Sequence, residues 1–259
     1  PVGKQLEDKT SYWELCNTKK IDYLKKLQKW EQVNSLAKDV LQQNPDQWSL
    51  YLDYITSVFH IIYDNNENKG EVNDETVDKG IEDAVSFITF QQDHHTKCRA
   101  PFLAQMELQS RLIARRDPNV DEKDMVTLMV KYYKKFGSKQ CASMDLQLFL
   151  PSLQDSQADK FFKDVFEEIT FDENLVPCNV DQMHRHVNWY QLRRYWGHHH
   201  SPLANNAKRC QVVGELINIY EKCLPLVKNF KSTEICPNDG YIMLAGQILW
   251  DLWMETEKD

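Results

Sequence analysis

Apolar side chains recur along most of this chain at intervals of three and four residues, the spacing that gathers them on one face of a helix. Val33, Leu36, Ala37, Val40 and Leu41 form one such stripe, and Trp48, Tyr51, Leu52, Ile55, Phe59 and Ile62 form the next. Between them, Asn44-Pro45-Asp46 ends one helix and begins another, because proline lacks the N–H that a continuing helix requires. Together with Trp13, Ile21, Leu24 and Leu27 upstream, these stripes predict helical hairpins near the ~34-residue tetratricopeptide period. The repeat is degenerate, since Val33 and Ala37 stand where it usually places a small and then a large residue.

Periodicity stops after Tyr63. From Asp64 to Gly80 there are six acidic residues against Lys69 and Lys79, a composition too polar to offset the entropy of ordering it, so an exposed loop is expected. Helical spacing resumes with Ile81, Ala84, Val85 and Ile88. Pro101 suits a first helical turn and leads into Phe102, Leu103, Met106, Leu112 and Ile113. Further helices are expected over 121–136 and 144–150, around Phe161, Phe162, Val165, Phe166 and Ile169, and over about 180–196, 203–224 and 237–255. The last is striped by Tyr241, Leu244, Ala245, Ile248, Leu249, Leu252 and Trp253. No segment alternates like a strand. The expected fold class is therefore all-α, with tetratricopeptide-like helical hairpins forming an α-solenoid that becomes less regular toward the C-terminus. Its expected divisions are hairpins over 1–63, an acidic flexible loop over 64–80, and a continuing helical array over 81–259.

The seam at Tyr132-Tyr133-Lys134-Lys135-Phe136-Gly137-Ser138-Lys139-Gln140-Cys141 reads as a helix stop and restart. Met129, Tyr132, Tyr133 and Phe136 continue an apolar stripe, lysines crowd the last turn, and Gly137 stands where a left-handed cap residue is expected.

Composition narrows the function classes. The 259 residues carry a net charge of -8, which argues against a general nucleic-acid binder and against direct DNA binding. No stretch approaches the roughly 20 uninterrupted apolar residues of a membrane span, so no membrane contact is expected. Seven cysteines, odd in number and scattered singly, favour reduced thiols in a cytoplasmic protein, read mainly as small buried hydrophobes. The start Pro1-Val2-Gly3 lacks both a methionine and the apolar core of a signal peptide, as expected of a fragment or a processed product.

The search for chemistry is mostly negative. A coenzyme A or nucleotide site needs a glycine-bearing loop at a helix start, where backbone N–H groups can approach a phosphate closely. Only eight glycines occur, and neither G-x-G-x-x-G nor G-x-x-x-x-G-K-[ST] is among them, so no cofactor is expected. His198-His199-His200 follows His184 and His186, but these two lie two residues apart, on different faces of a helix, and the triplet reads as a polar loop after Trp196-Gly197. Cys210, Cys223 and Cys236 recur every 13 residues without the C-x-x-C pairs of a zinc site. Cys98 beside His94 and His95 lacks the framing of a nucleophile, since sequence neighbours do not make a dyad. Seven tryptophans and the Tyr/Phe-rich stripes read mostly as core.

Basic groups are the exception. Arg111, Arg115 and Arg116 lie close together, and Lys131, Lys134, Lys135 and Lys139 cluster around the seam. The plain reading is a solvated face whose lysines offset the helix dipole; the functional one is contact with ribosomal RNA or an acidic partner.

Several segments, in order, carry a family resemblance. They are the Lys-Lys-Phe-Gly-x-Lys-x-Cys seam, Trp48-x-x-Tyr51-Leu52-x-Tyr54 with Ser57-Val58-Phe59, Arg99-Ala100-Pro101-Phe102-Leu103-Ala104-Gln105-Met106-Glu107-Leu108, and Leu249-x-Asp251-x-Trp253-x-Glu255-Thr256. Together they resemble the central part of the auxiliary subunits of the NatB N-terminal acetyltransferase complex. Ala100 replaces a glycine usual in that family, and the other departures fall in the acidic loop and in Phe171 to Asn179. The resemblance implies a non-catalytic scaffold that wraps a separate GNAT-fold catalytic subunit and helps place it at the ribosome. Its implied role is in acetylating nascent chains that begin Met-Asp, Met-Glu, Met-Asn or Met-Gln. A second reading is a tetratricopeptide peptide-binding adaptor of the co-chaperone kind, with Asn17, Lys19 and Lys20 as part of a carboxylate clamp. An independent enzyme is the reading least consistent with the glycine pattern.

Overall fold

The computed structural model of the chain describes residues 2–64, 74–117, 120–168 and 180–199, together with 246, 247, 250 and 253. Every regular element among the described residues is helical. In order they are α1 (Val2–Lys26), α2 (Trp30–Gln43), α3 (Trp48–Phe59), a π-helical turn (His60–Asp64), α4 (Asp74–His94) and α5 (Ala100–Ala114). There follow α6 (Glu122–Phe136), α7 (Ala142–Gln147), a 3-10 turn (Leu150–Ser152), α8 (Asp155–Glu168) and α9 (Val180–His199). The all-α expectation holds. The chain divides into two compact units, Pro1–Arg115 and Arg116–Asp259.

In the first unit α3 is the most enclosed helix. Leu50, Tyr51, Tyr54, Ile55, Ser57, Val58 and Phe59 are all buried, which extends the expected stripe around most of the helix. It packs against α2, α4 and α5, while α1 packs on α2 and α4 on α5. Burial pushes the phenols of Tyr51 and Tyr54 well above the usual tyrosine range, so both stay neutral. Tyr54 lies tilted against Phe87 at 5.0 Å, with the Lys38 ammonium within 5.6 Å of both rings. Polar ties accompany this packing: Lys25 Nζ meets Asp53 Oδ1 at 2.5 Å, and Asn44 Nδ2 donates to Glu14 Oε1 at 3.0 Å.

Pro45 and its neighbours separate α2 from α3 as the sequence predicts, and Asp46 has a second task. Its Oδ1 accepts from the backbone N–H groups of Arg99 and Ala100, at 2.9 and 3.0 Å, at the start of α5. Those donors have no intrahelical partner, and Arg99 supplies no side-chain cap. The turn between α2 and α3 thus holds the start of α5, with Pro101 in its first turn as expected.

In the second unit α6 packs on α8, and α9 packs on α7 and α8. The core combines Met125, Met129, Tyr132, Tyr133 and Phe136 with Phe149, Phe161, Phe162, Trp189, Tyr190 and Trp196. The Trp189 indole N–H donates to the Phe162 carbonyl at 3.2 Å, which satisfies the one polar atom of a fully enclosed ring.

Several expectations need correction. Helix α4 begins at Asp74 rather than Ile81, so part of the expected acidic loop is helical; residues 65–73 lie outside the described residues. Asp74 and Glu75 suit a helix N-terminus, and Val77 supplies the missing apolar anchor. The buried stripe runs through Val77, Ala84 and Ile88, leaving Val85 36% exposed. Leu27 lies beyond the end of α1 and is exposed, because Gln28 turns left-handed (φ 56°) and the Lys29 N–H reaches back to the Leu24 carbonyl. The short helix expected at 144–150 is α7, displaced toward the N-terminus and followed by the 3-10 turn. His198 and His199 belong to the last turn of α9 rather than to a loop. Cys16 is exposed and Cys98 and Cys141 are half-buried, so none of these three is a core residue. Trp250 and Trp253 are also exposed, their rings 5.1 Å apart, whereas Trp189 and Trp196 are buried. The expected helix at 203–224 and most of that at 237–255 lie outside the described residues.

Replacing Asp46 with alanine should lower stability by about 1 kcal/mol through loss of the cap, and Asp46→Asn should keep most of it. Urea denaturation of the two variants beside the parent checks this.

Candidate functional site

The seam is built from the end of α6 and a helix some fifty residues further on. Helix α6 starts from Asp121, whose side chain accepts from the Lys123 N–H at 2.9 Å. That backbone hydrogen bond, helped by the charges of Lys123 and Lys160, holds the Asp121 carboxyl below the ordinary aspartate range. At the other end the Gly137 N–H closes on the Tyr133 carbonyl at 2.7 Å and the Lys139 N–H on that of Phe136 at 2.8 Å. Side chains of α9 add donors to this turn. Arg185 Nη1 donates to the Tyr133 carbonyl at 2.9 Å and Nη2 to that of Lys134 at 2.8 Å. Asn188 Nδ2 donates to the Gly137 and Lys139 carbonyls at 2.8 and 2.7 Å. In return the Tyr133 hydroxyl donates to the Arg185 carbonyl, and burial pushes that phenol far above the usual tyrosine range despite the opposing guanidinium charge.

Gly137 corrects a second expectation. Its backbone is right-handed (φ -57°, ψ -21°), not left-handed. Glycine is required there for space: a Cβ would lie 2.5 Å from the Tyr133 carbonyl oxygen and 3.0 Å from Arg185 Nη1. The residue therefore lets the capping guanidinium reach the helix end.

With Phe136 buried as expected, Lys131, Lys134, Lys135 and Lys139 are exposed. Lys135 Nζ lies 5.8 Å from the Phe136 ring. Lys134, Lys135 and Lys139 sit near the negative end of the α6 dipole, where cations are favoured, and Arg185 adds a positive charge held by that same end. Arg185 belongs to this basic cluster although no sequence pattern points to it, because fifty-one residues separate it from Lys134.

The three arginines separate. Arg111 Nε pairs with Glu107 Oε1 at 2.7 Å, and its Nη1 donates to Thr56 Oγ1 at 3.0 Å. Arg115 lies over Tyr63 at 4.1 Å and over Phe59 at 5.4 Å. Both line a cavity of about 310 Å³ with Thr56, Phe59, His60 and Ala114. Arg116 has left the helix in a left-handed conformation (φ 58°) and is not among the residues lining that cavity. Asn17, Lys19 and Lys20 all lie on one helix, α1.

The geometry around Cys98 opposes nucleophilic chemistry. Burial, then the nearby Asp46 charge, pushes its thiol upward, toward the protonated form. His94 is turned to its own helix, its Nδ1 2.9 Å from the Phe90 carbonyl oxygen and its ring 3.9 Å from that of Phe90. Among the described residues no three His, Cys, Asp or Glu side chains are placed to hold a metal ion. Cys210, Cys223 and Cys236 lie outside them. No described helix is long and apolar enough to cross a membrane.

Among known proteins, residues 48–259 match the family described as the N-acetyltransferase B complex (NatB) non catalytic subunit. The chain is 31% identical over 274 residues to the N-alpha-acetyltransferase 25, NatB auxiliary subunit, of Mus musculus, covering 99% of this chain and 28% of that protein. The Homo sapiens protein of the same description is 31% identical over 98% of this chain and 27% of its own length. The phagocyte signaling-impaired protein of Aedes aegypti is 30% identical over 90% of this chain and 24% of its own. The chain thus spans roughly a quarter of the length of these relatives.

Substitution at the seam separates space from conformation. At an ordinary right-handed position Gly→Ala stabilises, but Gly137→Ala should destabilise by about 1–3 kcal/mol through overpacking. Asn188→Leu should cost about 1–3 kcal/mol by removing a donor from the Gly137 and Lys139 carbonyls, the second of which keeps the Ala142 N–H. Chemical denaturation of both variants checks the pair.

Proposed function

Because this chain belongs to the family of non-catalytic subunits of the N-acetyltransferase B complex, we propose that it is a helical scaffold segment serving a separate catalytic subunit. The match of residues 48–259 to a family described as non-catalytic carries this reading. On it, the transferase chemistry resides in a GNAT-fold partner, and the scaffold helps place that partner at the ribosome to acetylate nascent Met-Asp, Met-Glu, Met-Asn and Met-Gln starts. The protein works in the cytoplasm, where those chains emerge.

The exposed lysines at the end of α6 are the basic surface we assign to a partner. An acidic chain that concentrates Lys131, Lys134, Lys135 and Lys139 beside Arg185 offers a local positive field to ribosomal RNA or to an acidic face of the catalytic subunit. Arg111 and Arg115, which share a cavity, and Arg116, which does not line it, are further basic residues we assign to partner contact.

Co-expressing the human relative with the NatB catalytic subunit should give a complex that co-elutes in gel filtration. Deleting the segment that matches this chain should abolish or strongly weaken it, and unchanged co-elution would overturn the scaffold reading. Converting the lysines matching Lys134, Lys135 and Lys139 to glutamate should weaken complex or ribosome association about tenfold at low salt, with thermal unfolding unchanged. Undiminished association of that variant would remove the lysines from the interface.

A further inference from the structure

We propose that the cavity between the end of α3 and α5 binds a peptide through a single carboxylate, with an apolar side chain of the same peptide against Phe59 and Ala114. This inference is independent of the scaffold reading. The cavity, about 310 Å³ and lined by Thr56, Phe59, His60, Arg111, Ala114 and Arg115, is at the small end of the roughly 300–1,000 Å³ range of ligand clefts. That volume exceeds what a carboxylate fills, and the apolar wall suits a neighbouring side chain.

The two guanidiniums are held differently, and both remain able to donate. Arg111 is fixed by Glu107 and Thr56 through two of its N–H groups, which leaves the rest of the fork uncommitted. The Arg115 guanidinium carbon lies 4.1 Å from the Tyr63 ring centroid and 5.4 Å from that of Phe59, a cation–π placement that leaves its N–H groups to donate to an anion. Among the described residues no carboxylate pairs with Arg115. The ring contacts bias the side chain toward this position before a ligand arrives, which reduces the entropy lost on binding.

Charge selects the ligand class. Arg111 and Arg115 contribute two positive charges and Glu107 cancels one, so an excess of one positive charge matches one carboxylate better than a phosphate dianion. A planar two-oxygen acceptor also fits the guanidinium fork.

Isothermal titration of the chain with acetyl-Phe-Glu-amide and acetyl-Phe-Gln-amide tests the assignment. The glutamate peptide should bind at least about tenfold more tightly, since only it forms charge-assisted bonds. Arg115→Gln should remove that preference, Arg115→Lys should retain part of it, and Lys26→Gln, a charge change on exposed α1 surface, should leave it intact. Circular dichroism shows whether each variant keeps its fold. Equal binding of the two peptides, no saturable heat from either, or an unchanged preference in folded Arg115→Gln would each overturn the proposal. So would displacement of the glutamate peptide by inorganic phosphate at lower concentrations than by acetate, which would reassign the cavity to phosphate.

Discussion

An all-helical protein must satisfy carbonyls and N–H groups at every helix end, and the structure of the second unit rests on how it does so at the end of α6. Arg185 and Asn188 of α9 donate to four carbonyls between Tyr133 and Lys139. The Tyr133 hydroxyl returns a bond to α9. These contacts close the helix and dock α9 together, because the same side chains do both. They also set a requirement at Gly137, where any larger residue would occupy the space taken by the Tyr133 carbonyl and the Arg185 guanidinium. The first unit uses the same device in the opposite sense: Asp46, in the turn before α3, accepts from the N-terminal donors of α5. Helix ends thereby fix which helices are neighbours, while apolar stripes supply the driving force.

The electrostatic character follows from these caps. A helix C-terminus is a favourable place for cations, so lysines gather there even in a chain of net charge -8. The fold then sorts the basic residues by role. Arg185 is committed to capping, Arg111 is tied to Glu107 and Thr56, Arg115 lies on aromatic rings, and the seam lysines remain on the surface. Residues that look equivalent as a run of positive charge therefore have different capacities to meet a partner.

How much was legible depends on the range of the contact concerned. Helix existence was readable for α2, α3, α5, α6 and α8, because the i, i+3, i+4 spacing lies within each helix. The Asn44-Pro45-Asp46 break and the family segments were likewise local. Cap conformation was less readable. The glycine expected to turn left-handed is right-handed, while Gln28 and Arg116 adopt positive φ without being glycine. All three helix ends close by backbone bonds, and at the seam side chains of another helix are added to them. Val85 and Leu27 were misread for a related reason: each continues a plausible stripe, but burial depends on which neighbour arrives, and the described residues leave them 36% and 46% exposed.

The sequence by itself determined the all-α class, the existence of most described helices, the inward Tyr132, Tyr133 and Phe136, and the family to which the chain belongs. Each rests on periodicity or on motifs read along one short stretch. Only the tertiary structure decided that Arg185 joins the seam, that Gly137 is needed for space, and that Arg111 and Arg115 share a cavity which Arg116 does not line. Those outcomes depend on side chains about fifty residues apart meeting in one place. Helical spacing places a residue on a face of its helix but does not specify which distant helix will pack there.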